Sequence, residues 1–302
     1  MKKPVGRFAP TPSGRMHLGN VFAALMAWLA VRSEDGTMIL RMEDLDTQRT
    51  KPEYCDVLRQ DLAWLGLDYD QETPPQSTRS AVYGAYLETL RQMDLLYPCY
   101  CTRAQLHSVN APHRADGTYV YPGTCRENPP KKPDRIPSWR VKVPDEDWCV
   151  VDKIQGRYTE NLARDCGDFV LQRGDGAYLY QLAVTVDDGE SGVTQVVRGV
   201  DLLNSAPRQM YLQKLLGFSH PEYAHVPLLV APDGRRLSKR DRDMDLGYLR
   251  QHLSAPQLIG ILAQAAGLTE KPEPVMPQEL IGEFSWDRLR KEDICLDLSP
   301  IL

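Results

Sequence analysis

The chain has 302 residues, a net charge of −5 and 42% hydrophobic residues. This length and composition allow a buried core in one or two domains. The sequence shows no apolar stretch long enough to span a membrane and no apolar N-terminal segment behind basic residues, so we expect a cytoplasmic protein with no membrane partner. The acidic balance argues against a broad nucleic-acid-binding surface. Local basic positions that remain available are Lys131, Lys132, Arg135, Arg140, Lys142 and 235–242.

The N-terminal segment predicts a strand, a tight connection and a helix. Residues 5–9 form a short apolar run, and the prolines and glycine in 10–14 exclude regular structure. A long run of helix formers follows, with Asn20 at the position expected for an N-cap. His17 and Gly19 therefore stand beside a helix N-terminus, whose unpaired amides and positive dipole suit a phosphate group. A plain strand-helix turn with a surface histidine is the alternative for this motif alone.

A second motif lies more than two hundred residues downstream. A strand-like run at 226–230 and a turn at 233–234 precede a basic segment at 236–240. Within it, Lys239 carries a compact charge on a flexible stem, which suits phosphate charge that develops during a reaction. A solvated basic face is the alternative for this segment alone. Together, in this order, 17–20 and 236–240 resemble the HIGH and KMSKS signatures of class I aminoacyl-tRNA synthetases.

This resemblance implies a reaction in which a carboxylate attacks the α-phosphorus of ATP, with Mg²⁺ accompanying the nucleotide. Because both motifs keep their reactive residue types, we favour an active enzyme over a catalytically idle paralogue that binds RNA or adenylate. The implied ATP-binding residues are His17, Gly19, Asn20, Leu237, Ser238 and Lys239. The implied catalytic residues are His17, Gly19 and Lys239.

Charged residues at predicted strand ends indicate the second substrate. The run 39–46 reads as a second parallel strand that ends in acidic residues, and ligands of open parallel sheets bind at the carboxyl ends of the strands. Arg7 and Glu43 would then face one pocket, where they could pair with a carboxylate and with an ammonium group. Tyr180 and Arg198 add a hydroxyl and a second guanidinium. This set fits an amino acid with two carboxylates.

Four segments, 7–14, 41–44, 180–188 and 192–199, resemble the catalytic domain of glutamyl-tRNA synthetases, and the resemblance extends to about Asp245. Those enzymes usually carry an asparagine four residues after the pocket tyrosine, whereas this chain has Val184. This departure predicts glutamate activation that does not require tRNA. The resemblance implies that L-glutamate is held by Arg7, Phe8, Ala9, Pro10, Thr11, Glu43, Tyr180 and Arg198.

The segment after Lys239 is short, and we expect it to contain no anticodon-binding domain. In this truncation the chain resembles the glutamyl-Q tRNA(Asp) synthetases. That resemblance implies transfer of glutamate to queuosine in the anticodon loop of tRNA(Asp). A truncated glutamyl-tRNA synthetase that charges the tRNA 3′ end is the alternative. We expect the protein to be a monomer.

Seven cysteines without a secretory signal indicate reduced thiols or a metal site. Three of them lie close in sequence and suit zinc, which takes four tetrahedral ligands, although ordinary core cysteines are the alternative. His107 or His113 is the usual chemical choice for the fourth ligand. The resemblance to glutamyl-tRNA synthetases instead implies Tyr121, four residues before Cys125. The predicted ligands of a structural zinc ion are Cys99, Cys101, Tyr121 and Cys125.

The predicted fold is α/β, with a doubly wound parallel sheet of the Rossmann type found in class I synthetases, a zinc-containing insertion and a small helical C-terminal part. The predicted boundaries are 1–76 for the first half of the nucleotide-binding catalytic domain, 77–176 for the insertion with the zinc site, 177–245 for the second half with the KMSKS-like loop, and 246–302 for the helical C-terminal part.

Overall fold

The computed structural model describes residues 2–102, 120–130, 135–234 and 245–298. The strands are β1 (Val5–Phe8), β2 (Thr37–Leu40), β3 (Gln71–Glu72), β4 (Leu96–Cys99), β5 (Ser138–Val141), β6 (Asp147–Asp152), β7 (Gly156–Asn161), β8 (Phe169–Gln172), β9 (Gln195–Gly199), β10 (Glu222–Val226), β11 (Leu229–Val230) and β12 (Ile294–Cys295). The helices are α1 (Leu18–Arg32), α2 (Pro52–Leu65), α3 (Ser80–Gln92), α4 (Thr124–Glu127), α5 (Tyr180–Glu190), α6 (Ser205–Leu216), α7 (Leu246–His252) and α8 (Ala255–Ala266).

The main sheet runs in the order β3-β2-β1-β9-β10-β6-β7. All neighbours from β3 to β6 are parallel, whereas β6 and β7 form an antiparallel hairpin. This mostly parallel sheet with its helices confirms the predicted fold class. The hairpin lies inside the range 77–176, yet Tyr223 of β10 pairs with Asp152 of β6. The predicted insertion therefore also supplies two strands of the main sheet and is not confined to a separate module.

Helix α1 forms the centre of the largest core. It is apolar around its whole circumference, as expected for a helix that is buried on all sides. Gly6 lets it lie directly against β1, because a Cβ on that glycine would stand 2.3 Å from Cγ2 of Val31. The helix begins at Leu18, and the extended residue His17 is its N-cap. The prediction that Asn20 is the N-cap is wrong, since Asn20 already lies in the first turn and its amide donates to the His17 carbonyl at 2.9 Å.

The predicted insertion also contains a smaller antiparallel sheet in the order β4-β5-β8. Side chains of α3, α5 and α6 share an apolar cluster with it. In the C-terminal part, α7 and α8 pack into the same core as α1, and α8 begins with a capping box between Ser254 and Gln257. This part also contributes β12, which pairs in parallel with β11. In the ranges that the structure covers, no helix has both the length and the apolarity needed to cross a bilayer.

Candidate active site

A cleft of about 520 Å³ opens at the carboxyl ends of β1, β2, β9 and β10, the edge where open parallel sheets bind ligands. It brings the two predicted groups of residues together, although they come from distant parts of the sequence. The predicted glutamate-binding residues that line it are Arg7, Phe8, Ala9, Pro10, Thr11, Glu43, Tyr180 and Arg198. The predicted nucleotide-binding residues that line it are His17, Gly19 and Asn20. Leu237, Ser238 and Lys239 lie outside the described residues.

The segment before α1 also contacts the chain that follows the KMSKS-like loop. Met16 accepts a backbone hydrogen bond from Leu246 at 3.1 Å, and His17 forms an isolated β-bridge with Asp245. At Gly19 an added Cβ would lie 3.2 Å from the His17 imidazole, so glycine allows the ring to pack closely on the first turn of α1. The N-terminal motif therefore contacts Asp245 and Leu246, the first described residues after the KMSKS-like motif.

A buried charge network supports the part of the cleft formed by β1 and β2. Arg7 donates from Nε to Asp188 at 3.5 Å and from Nη1 to the Val197 carbonyl at 3.4 Å. Arg41 donates from Nη1 to Asp188 at 2.6 Å and from Nη2 to Glu43 at 3.2 Å. The Arg41 side chain is fully buried, so its charge acts on the carboxylates around it rather than on solvent.

Glu43 and Asp188, the two carboxyl groups of this network, have pKa values that are shifted in opposite directions. Burial raises the pKa of Glu43, and the guanidinium groups of Arg41 and Arg7 only partly oppose this rise. Burial acts in the same direction on Asp188, but there Arg41 and Arg7 outweigh it and hold the pKa of that carboxyl below its usual range. Asp188 is thus a permanent counter-ion. Glu43 faces the cleft as an acid whose charged form a bound cation would stabilise.

The neighbouring residue Asp187 connects the cleft to the start of the predicted insertion. It accepts hydrogen bonds from Gln76 at 2.7 Å, from Nε of Arg79 at 2.8 Å and from the Tyr83 hydroxyl at 2.9 Å. Neither Asp187 nor Asp188 is among the site residues predicted from the sequence. A sequence signal for them exists, because two adjacent aspartates stand two turns after the pocket tyrosine and directly follow the mainly apolar run 182–186.

Arg198 is the second guanidinium of the cleft and is only 5% exposed. Its Nε lies 3.0 Å from Nε2 of His225, and its Nη1 donates to Gln209 at 2.8 Å. Nη1 also lies 3.3 Å from the Tyr180 hydroxyl, and Nη2 donates to the Leu202 carbonyl at 3.3 Å. Neither His225 nor Gln209 is among the site residues predicted from the sequence, although a histidine inside an apolar strand is a signal of a buried polar contact.

The three predicted thiol ligands converge at the end of β4, with their sulfur atoms within 4.8 Å of one another. The hydroxyl of Tyr121 lies 3.5 Å from Sγ of Cys99 and 3.8 Å from Sγ of Cys101, and it accepts a hydrogen bond from the Cys125 amide at 2.8 Å. The Tyr100 amide donates to Sγ of Cys125 at 3.3 Å. Three sulfur donors and one phenol oxygen around a common centre are a donor set that could hold a zinc ion.

Two features around Tyr121 bear on a ligand role. Burial and the neighbouring Cys99 raise the pKa of Tyr121, so the phenol stays protonated unless a cation stabilises its charged form. The Arg140 guanidinium lies 3.7 Å from the centroid of the ring, where it stabilises negative charge on the phenol. The alternative ligands His107 and His113 lie outside the described residues.

Comparisons with known proteins agree with this geometry. Residues 4–294 match the family described as tRNA synthetases class I (E and Q), catalytic domain. A glutamyl-Q tRNA(Asp) synthetase of Symbiobacterium thermophilum is 44% identical over 98% of this chain and 97% of its own length. Another with that name, from Pseudomonas putida (strain GB-1), is 46% identical over 92% of this chain and 90% of its own.

Among solved structures, a glutamate tRNA ligase from Elizabethkingia meningosepticum in complex with its amino acid matches with a TM-score of 0.82 and 28% identity. The match covers 99% of this chain and 68% of that chain. The family match spans nearly the whole sequence and includes both motifs, of which the first lines the cleft. The chain therefore belongs to the class I aminoacyl-tRNA synthetase family for E and Q, as its two motifs predict, and it is an ATP-using ligase of that family.

Proposed function

We propose that this enzyme activates L-glutamate with ATP and Mg²⁺, without tRNA, and then transfers the glutamyl group to queuosine in the anticodon loop of tRNA(Asp). The observation that carries the proposal is the cleft, in which two buried guanidinium groups and a carboxyl group line one space beside the N-terminus of α1. The relatives named glutamyl-Q tRNA(Asp) synthetase support the choice of acceptor, because they align with this chain over most of their own length.

In this proposal each charged group of the cleft meets a group of opposite charge on glutamate. Arg7 and Arg198 bind the carboxylates, and Glu43 binds the ammonium group. Tyr180 adds a directional contact: its hydroxyl oxygen accepts from Arg198, so its own proton is available to donate to a substrate oxygen. Phe8, Ala9, Pro10 and Thr11 form the adjoining wall.

ATP occupies the neighbouring part of the cleft. The first-turn amides of α1 attract phosphate, and His17 and Asn20 contribute hydrogen-bonding groups. Gly19 keeps the first turn clear for the nucleotide, and Leu237, Ser238 and Lys239 complete the site. A glutamate carboxylate oxygen forms a bond to the α-phosphorus as the bond to pyrophosphate breaks. Lys239 stabilises the negative charge that develops on the phosphates, and Mg²⁺ carried by the nucleotide would add its own positive charge there.

In the second step a hydroxyl of the queuosine cyclopentenediol attacks the glutamyl carbonyl, and AMP leaves. The vicinal hydroxyls resemble those of a terminal ribose, so the same chemistry serves this acceptor. Unstacked anticodon-loop bases are accessible for such recognition. Independence from tRNA in the first step is supported by Val184, which is buried and offers no hydrogen bond where related enzymes usually have asparagine.

The proposal also includes a structural zinc ion bound by Cys99, Cys101, Tyr121 and Cys125. Bound there, the metal would join β4 to the segment around α4 and stabilise this end of the smaller sheet. It takes no part in the activation reaction, because its four ligands are separate from the residues that line the cleft.

ATP–pyrophosphate exchange tests the activation step. We expect exchange with L-glutamate and no tRNA, but not with L-aspartate or L-glutamine, since these do not present two carboxylates at the spacing of the cleft. Lys239→Ala should lower the rate by about two to three orders of magnitude, as expected for a lost contact to transition-state charge. Exchange that begins only after tRNA is added would contradict tRNA-independent activation.

Labelled glutamate and four tRNA(Asp) samples test the acceptor. The samples carry or lack queuosine, and each is used with and without its 3′-terminal adenosine. We expect labelling that follows queuosine and survives removal of the adenosine. Labelling that disappears with the adenosine, or persists without queuosine, would contradict this acceptor and favour a truncated glutamyl-tRNA synthetase.

A further inference from the structure

We infer that His225 is a positioning residue for Arg198: a neutral imidazole, oriented by Asp152, that fixes the guanidinium in the orientation in which it meets a substrate carboxylate. The inference rests on the proposed function, in which Arg198 binds glutamate.

The three residues lie on three adjacent strands of the main sheet. Arg198 on β9 is the register partner of His225 on β10, and β10 pairs with β6, which ends at Asp152. His225 is fully buried, and among the described residues it is not one of those that line the cleft. It can therefore act on the substrate only through Arg198.

The contacts of His225 define its protonation. Nε2 faces the Nε–H of Arg198 at 3.0 Å, so this nitrogen is the acceptor and carries no proton. Nδ1 then carries the proton and donates it to Asp152 at 2.6 Å. Asp152 is itself held in place, because its other oxygen accepts from the backbone amides of Ile154 at 2.9 Å and Gln155 at 2.8 Å.

The hydrogen bonds of Arg198 explain why the imidazole matters for binding. A guanidinium has five N–H groups. Within the described residues, four find acceptors: His225 takes Nε–H, Gln209 and the Tyr180 hydroxyl take Nη1–H groups, and the Leu202 carbonyl takes one Nη2–H. The remaining Nη2–H and the Tyr180 hydroxyl proton form a pair of donors for one carboxylate. Without the His225 acceptor the guanidinium of Arg198 would be free to rotate. Its remaining Nη2–H and the Tyr180 hydroxyl proton would then no longer be aligned with one carboxylate.

The charges around His225 keep it neutral. Arg198 faces it from β9 and Arg7 contributes from β1, while Asp152 faces it from β6 and Tyr223 stacks beside it on β10. Burial, reinforced by Arg198 and Arg7, holds the pKa of His225 below its ordinary value, and Asp152 opposes this only in part. Protonation in acid would turn Nε2 into a donor facing another cation at 3.0 Å, so glutamate binding should weaken as pH falls.

Two variants of His225 separate positioning from packing. His225→Gln can place an amide oxygen near the position of Nε2 and keep the acceptor, whereas the shorter His225→Asn reaches only as far as Nδ1. Steady-state exchange kinetics should show a KM for glutamate raised at least about tenfold in His225→Asn, the effect of one weakened charged hydrogen bond. We expect kcat and the KM for ATP to change by less than a factor of about three. His225→Gln should stay near the wild-type KM and should lose the acid decline of kcat/KM that belongs to histidine.

Equal glutamate KM values in the two variants, or an unchanged acid decline in His225→Gln, would overturn the inference. Nitrogen-15 NMR of histidine-labelled wild-type protein tests it without any variant. We expect a proton on Nδ1 and none on Nε2 at neutral pH, and the opposite tautomer would overturn the inference even if the asparagine variant did not fold. Wild-type protein without glutamate-dependent exchange would reject the proposed function and this inference with it. If the wild-type protein shows exchange but the KM for glutamate is the same in His225→Asn and His225→Gln, the inference alone would be rejected.

Discussion

Asp188→Asn keeps the size of the side chain and removes its charge from the centre of the buried network. In the native protein this carboxylate is 4% exposed and accepts from Arg41 at 2.6 Å and from Arg7 at 3.5 Å. The variant leaves two buried guanidinium groups, with Glu43 at 3.2 Å and Asp187 at 3.9 Å as the carboxylates nearest to Arg41.

Removing one partner from a buried ion pair typically costs about 3–5 kcal/mol, because the other charge remains buried without compensation. Since Glu43 and Asp187 still offset part of the Arg41 charge, we expect the lower end of this range, about 3 kcal/mol. Asp56→Asn is the matched control: Asp56 contacts Arg59 at the same 2.6 Å, but its side chain is 72% exposed. An exposed pair of this kind should contribute less than about 1 kcal/mol.

Urea unfolding, followed by tryptophan fluorescence and by circular dichroism, measures both variants. Asp188→Asn should lower the unfolding midpoint far more than Asp56→Asn, at a similar slope. The double variant Asp188→Asn/Arg41→Met should lose less than the sum of its single variants, since it removes a cation together with its counter-ion. Equal losses at the buried and exposed sites, or additive losses in the double variant, would refute this account of the network.

Three further predictions follow from contacts elsewhere. Asp61 is fully buried and accepts from Arg15 at 2.8 Å and Arg250 at 3.2 Å, and both arginines keep contact with solvent. Asp61→Asn should therefore cost about 1.5–3 kcal/mol in urea unfolding, the range of a hydrogen bond to a charged group. It should also raise the KM for ATP, because Arg15 leads directly into the His17 motif, and an unchanged KM for ATP would contradict this second effect. Cys125→Ser should abolish zinc binding in elemental analysis while the KM for glutamate stays within a factor of about two, in line with the separation of the two sites; a normal zinc content would exclude Cys125 as a ligand. The free energy of unfolding should fall as pH drops below the ordinary histidine pKa of 6.5, because the pKa of buried His225 is lowered and the unfolded chain therefore takes up the proton first. His225→Gln should flatten this dependence of the unfolding free energy on pH, and identical pH dependences in the two proteins would show that another group is responsible.

The parts of the cleft that could be predicted from the sequence are those encoded within a few residues. Arg7 and Glu43 stand at or just after short apolar runs, and such runs identify the carboxyl ends of strands. The same reasoning from local sequence gave the wrong N-cap, Asn20, at the start of α1. Asparagine is a favoured N-cap, but His17 takes that position because its backbone bridges to Asp245, which a local pattern cannot reveal.

The supporting residues could not be predicted because their partners are remote in the chain. Asp152 and His225 are separated by 73 positions, and Arg41 and Asp188 by 147. An arginine directly after an apolar strand, such as Arg41 after β2, indicates that a counter-ion exists, but not which aspartate supplies it. The pairing of the β6–β7 hairpin with the main sheet could not be predicted for the same reason, because its partner β10 comes more than sixty residues later.

The pairing of β6 with β10 limits how this chain can be trimmed or grafted. Excision of 77–176 as one block would remove two strands of the main sheet and leave β10 as a bare edge, which is a template for pairing with other chains and hence for aggregation. It would also remove Asp152 and leave His225 without its carboxylate. To transfer the part of 77–176 that carries the cysteine cluster into another synthetase, one would therefore have to take the segments on either side of 147–161 as two separate pieces. The hairpin at 147–161 would stay behind in the main sheet of this chain.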